Sequence, residues 1–109
     1  MTILKPETLQ EIQTLSQNNP NRLFILDFKA TWCRPCKQIY PQIEKWASEM
    51  PDVSFCVIDV EDDEHQDTTC QFFNISAMPT FVFLKNNQVL STFCGADVEK
   101  INRLLNQLR

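Results

Sequence analysis

The chain is short of several residues that would steer it toward particular protein classes. It has one glycine, Gly95, and one histidine, His65, in 109 residues. A lone glycine excludes a collagenous repeat, and 43% hydrophobic against 22% charged residues excludes a disordered chain. Long apolar runs are missing as well: none approaches the ~18 residues that suggest a membrane span, and the run Leu23 to Leu26 is cut by Asp27. The segment Met1 to Gln17 has an early Lys5 and scattered polar groups in place of the apolar stretch of a signal peptide, so a cytoplasmic location is expected. Positive charge is scarce, with a net charge of -4. That balance argues against nucleic acid, whose phosphates are met by clustered Lys and Arg, and against an anionic membrane surface.

What is present suits one compact domain over residues 1–109, expected to be monomeric. The five cysteines are odd in number and too few for the disulfide framework of a small secreted scaffold, so at least one thiol stays unpaired. Leu9, Ile12 and Leu15 recur at helical spacing after Pro6, which predicts a helix over 6–17. Leu23 to Phe28 reads as a buried strand. From Cys36, the residues Ile39, Ile43, Trp46, Ala47 and Met50 share one face of a second helix, closed by Pro51 and kinked at Pro41. Val53 to Val60 is a strand, and a weakly patterned helix follows around Asp67 to Phe73. Thr80 to Leu84 and Val89 to Phe93 flank a polar turn with Asn86 and Asn87, as a hairpin would. Val98, Ile101, Leu104, Leu105 and Leu108 make a last helical stripe. This order predicts an α/β fold with a mixed sheet covered on both faces.

The sequence Trp32-Cys33-Arg34-Pro35-Cys36-Lys37 falls between a predicted strand and a predicted helix, the setting in which CxxC is redox-active. A sulfur at a helix N-terminus meets unpaired amide hydrogens and the positive end of the backbone dipole, so its thiolate is favoured. Cys33 is therefore the expected nucleophile. Cys36, one turn on, is near enough to close a disulfide and is the expected resolving thiol. The same motif could instead be half of a zinc site, but further ligands are scarce: His65 is alone, and Cys56, Cys70 and Cys94 are scattered. No resident metal or cofactor is expected. Two further functions compete with disulfide exchange: a redox-silent binding module, and an iron–sulfur carrier bridged by the CxxC of two chains.

Taken together, Asp27 to Lys37, then Met78-Pro79-Thr80-Phe81, then Gly95-Ala96 resemble the thioredoxin family in motif order and spacing over nearly the whole chain. The resemblance implies a central mixed sheet of four to five strands flanked by four helices, and protein disulfides as substrates. It also implies NADPH-dependent recycling by thioredoxin reductase. Peroxiredoxins, methionine sulfoxide reductase and ribonucleotide reductase are the substrate classes it suggests. It further implies a cis bond before Pro79, which would leave the Met78 backbone free to pair with an extended substrate. Asp27, in an otherwise apolar strand, should have a raised pKa; the resemblance makes it the proton acceptor and donor for Cys36. Trp32, Arg34, Pro35, Met78, Pro79 and Gly95 are the expected substrate-contacting residues. Gly95 serves either a close substrate approach or a turn needing positive φ.

The chain departs from the family pattern in three places. Arg34 stands where most members have Gly, and with Lys29 and Lys37 nearby it should stabilise the Cys33 thiolate and make the couple slightly less reducing. A lysine that many bacterial members set opposite the buried acid is Val57 here. The segment between Asp59 and Pro79 is slightly longer than usual. Cys94 and Cys70 are candidate regulatory thiols, whereas Cys56 inside a strand is a small buried hydrophobe.

Overall fold

A computed structural model describes residues 2–109. Five strands, β1 (Ile3–Leu4), β2 (Leu23–Lys29), β3 (Val53–Asp59), β4 (Thr80–Lys85) and β5 (Gln88–Cys94), form one sheet in the order β1-β3-β2-β4-β5. β1, β3 and β2 run parallel, while β4 and β5 are antiparallel to their neighbours. The helices are α1 (Leu9–Asn18), α2 (Arg34–Glu49), α3 (Cys70–Phe72) and α4 (Val98–Leu108).

Central strand β2 is apolar at almost every position because both sheet faces are covered. On one face Leu23, Ile25, Phe55, Phe81 and Phe83 pack beneath Ile39, Ile43 and Trp46 of α2 and Ile101 and Leu105 of α4. On the other, Phe24, Leu26, Phe28, Ile58 and Val82 pack against Ile12 of α1. The two-residue alternation of a strand puts Asp27 on the α2 face, in line with Leu23 and Ile25.

Several boundaries differ from the sequence expectation. α1 starts at Leu9 because Thr8 is the cap: its hydroxyl accepts the Glu11 N–H at 3.0 Å, while Glu11 returns a carboxylate to the Glu7 N–H at 2.9 Å. Pro6 thus precedes the helix. α2 begins at Arg34 and contains Pro41, whose missing N–H leaves the Lys37 carbonyl without its usual partner. β1 went unforeseen, since two residues are too few to set up a periodicity. The weak helix begins earlier than expected, as a π-helical turn over His65–Thr69 that runs into α3. Buried His65 anchors that turn: Nε2 lies 2.9 Å from the Pro6 carbonyl oxygen and Nδ1 2.8 Å from the Thr69 hydroxyl.

Asn86 and Asn87, at φ 49° and 61°, form the left-handed two-residue turn that joins β4 to β5. The tip is fastened to α1, where the buried Ser16 hydroxyl accepts the Asn87 N–H at 2.9 Å. No helix among the described residues is long and apolar enough to cross a membrane.

Candidate active site

β2 delivers the chain to the end of the sheet, and α2 begins at Arg34, a short turn after the chain leaves it. Cys33 sits between them as the N-cap of α2, and its Sγ accepts the Cys36 N–H at 3.3 Å. One of the helix's unpaired amide hydrogens is thereby satisfied by sulfur. Arg34 and Pro35 occupy the first helical positions, where a proline costs no hydrogen bond. Cys33 and Cys36 are joined as a disulfide, their Cα atoms 5.3 Å apart. Both are only 4% exposed and pack with Ala30, Val60 and Met78. Trp32 stands beside them at 68% exposure.

The Met78–Pro79 bond is cis. The Pro79 carbonyl accepts the Gly95 N–H at 2.9 Å, so the end of β5 is held against the segment before β4. Gly95 has φ +117°, and a Cβ built there would meet nothing nearer than Phe93 at 4.0 Å. Backbone conformation, not a lack of space in the chain itself, therefore calls for glycine. The expected residues Trp32, Cys33, Arg34, Pro35 and Cys36 are contiguous, and Met78 reaches the cysteines through packing.

Asp27 lies on the face of the sheet that α2 covers, beside Ile43 and Trp46. It is 2% exposed, and its Oδ1 has no hydrogen-bond partner, so backbone amides do not satisfy that atom. Burial pushes the carboxyl up to about 7, with the Lys29 ammonium pulling weakly the other way. Its neighbours across the sheet are the apolar Val57 and Phe81. Asp27 and Cys36 line one open cavity of about 1240 Å³, together with Lys29, Lys37 and Tyr40.

The remaining thiols separate by environment. Cys56 is buried and its thiol is pushed up to about 12 by desolvation, Cys70 is half-buried and also raised, and Cys94 is exposed. Among the described residues no group of three or more His, Cys, Asp or Glu side chains is arranged to hold a metal ion.

Comparison with known proteins decides the family. The family model named Thioredoxin matches residues 5–107. The chain belongs to the thioredoxin family. It is 38% identical over 97 residues to thioredoxin of Ophiophagus hannah, covering 89% of this chain and 90% of that one. To human thioredoxin it is 36% identical over 88 residues, 81% of each chain. The crystal structure of Fasciola hepatica thioredoxin superposes with a TM-score of 0.91 at 33% identity, over 98% of this chain and all (100%) of that one. The five-stranded mixed sheet with four helices is thus the thioredoxin fold, and with its bonded Cys33–Cys36 pair the chain is a thioredoxin-type protein-disulfide oxidoreductase. Membership of the thioredoxin family implies thioredoxin reductase and disulfide substrates in general as partners.

Two features near the site were not found from the sequence. Glu61 binds Thr31 across 30 positions of chain, and Lys29 is the cation that acts on Asp27. Glu61 gave no local signal. Lys29 could have been found from its place two residues after Asp27, on the same side of β2.

Proposed function

We propose that the chain is a general protein disulfide reductase, cycling through Cys33 and Cys36 and restored by thioredoxin reductase with NADPH as the electron source. The observation that carries this reading is the placement of Cys33 Sγ at the N-terminus of α2, accepting the Cys36 N–H. In the reduced chain the same amide favours a thiolate on Cys33.

The thiolate attacks one sulfur of a substrate disulfide. That bond breaks, a mixed disulfide forms on Cys33, and the second substrate sulfur leaves as a thiolate that takes a proton. Cys36 then gives its proton to Asp27 and attacks Cys33 Sγ, releasing the first substrate sulfur. Two electrons have passed to the substrate, and the chain is left with the Cys33–Cys36 disulfide. Asp27 suits the proton step because its carboxyl, near 7, takes and returns a proton at neutral pH and lines the same cavity as Cys36.

An extended substrate would lie across the surface flanked by exposed Trp32 and the cis-Pro79 segment, pairing with the Met78 backbone, with Arg34, Pro35 and Gly95 at its edges. Peroxiredoxins, methionine sulfoxide reductase and ribonucleotide reductase are the substrates this reading assigns, in a cytoplasmic and monomeric protein. The test is reduction of insulin with NADPH and thioredoxin reductase. Wild type is expected to turn over, with Cys33→Ser and Cys36→Ser at background; full activity in both variants would overturn the reading.

A further inference from the structure

The turn that presents Trp32 is held from outside by a residue that the mechanism does not use. Glu61 lies just beyond β3, and its Oε1 accepts both the Thr31 N–H and the Thr31 hydroxyl, each at 2.7 Å. These two bonds hold the carboxyl below its ordinary pKa, so it is ionised at neutral pH. Glu61 is itself braced, since its N–H donates to Asp59 Oδ1 at 2.9 Å. One step inward the Val60 N–H donates to the Lys29 carbonyl at 2.9 Å. The loops leaving β2 and β3 are therefore joined side by side.

The strap acts on a short segment. Cys33 N–H closes a turn onto the Ala30 carbonyl at 3.2 Å, and Thr31 and Trp32 are its two corner residues. Cys33 is fixed from the far side by its own bond to the Cys36 N–H and by packing against Ala30, Val60 and Met78. Trp32, 68% exposed, has no such enclosure. Its direction depends on the turn, and the turn is tied to the rest of the fold at Thr31. A large aromatic ring on a rigid turn loses little freedom when a partner covers it, whereas a ring on a loose turn must first be ordered.

We propose that Glu61 is a positioning residue for docking: through Thr31 it holds the Trp32 ring in the orientation that a protein partner meets, and so sets the preference for protein disulfides over small ones. The inference rests on the reductase reading above and adds a determinant of substrate class to it. A small aromatic disulfide can reach the Cys33 sulfur without an extended docking surface. A folded protein disulfide cannot.

The experiment compares second-order rate constants of the reduced chain with insulin and with 5,5′-dithiobis(2-nitrobenzoate), and reads their ratio. Glu61→Ala is expected to lower the insulin-to-small-disulfide ratio by about three- to tenfold, the scale on which one or two such bonds act. Glu61→Gln keeps a carbonyl acceptor for both Thr31 donors and is expected to restore the ratio to within about twofold, which separates hydrogen bonding from charge. Because Glu61 is argued to act through Trp32, adding Glu61→Ala to Trp32→Ala should lower the ratio no further. An unchanged ratio in Glu61→Ala, no recovery in Glu61→Gln, or additive losses in the double variant would each overturn the proposal. A wild-type chain that reduces neither disulfide would instead defeat the reductase reading itself.

Discussion

At Asp27 the folded chain keeps a proton that the unfolded chain gives up at lower pH, since burial moves the carboxyl from 3.8 to about 7. Stability therefore falls as pH rises through that window, and the penalty is complete above about pH 7. The shift corresponds to roughly 4 kcal/mol as an order of magnitude. Asp27→Asn should remove it: in urea unfolding of the oxidised proteins, the variant is expected to gain up to about 4 kcal/mol over wild type at pH 8 and almost nothing near pH 4. An equal difference at both pH values would contradict this origin. Arg34 presents a weaker effect, because it is exposed and its charge is screened by water. Arg34→Gly is expected to lower the reduction potential by about 10–30 mV, measured by equilibration against glutathione. The raised acid was legible in the sequence from its apolar neighbours. Its lack of a partner was not, because that depends on what β3, β4 and α2 bring to the same point.

Among the elements, the N-terminus of α2 was the most legible, since CxxC followed by an amphipathic stripe defines both its chemistry and its direction. The hairpin was almost as clear, because paired asparagines readily adopt the positive φ that the turn requires. The π-helical turn and β1 were hidden for a common reason. Each is held by a tertiary partner: β1 by β3, and the turn by His65 reaching the carbonyl of Pro6, 59 residues away. His65→Ala would leave that carbonyl and the Thr69 hydroxyl without their protein partner, at about 1–3 kcal/mol. Chemical denaturation should show the loss, with hydrogen exchange quickest in the turn and in the strand leading to α1. Protection unchanged in both segments would mean that the histidine is not the anchor.

Over the whole molecule, the sheet separates its cysteines into different chemical situations although all five derive from one sequence. Cys56 is enclosed between β1, β2 and the helices behind them, whereas Cys94 is exposed at the end of edge strand β5. In the native reduced chain, peroxide or an alkylating agent is expected to modify Cys94 well before Cys56, which should react only on unfolding; mass spectrometry of quenched samples would show the order. The overall architecture followed from counting strands and helices, while its strand order did not, because parallel pairing of β1, β3 and β2 involves residues far apart in sequence. Of the site, the linear motif was readable and the supports around it were not. Glu61 became visible only once the ends of β2 and β3 were side by side.

The claim on which the rest depends is that Cys33, capping α2, ionises more readily than an ordinary thiol. Its most direct test is the pH dependence of iodoacetamide alkylation of the reduced chain, followed residue by residue. Cys33 is expected to react first, with a midpoint clearly below the ~8.5 of a free thiol. A midpoint at or above that value, or faster labelling of Cys36, would contradict the account.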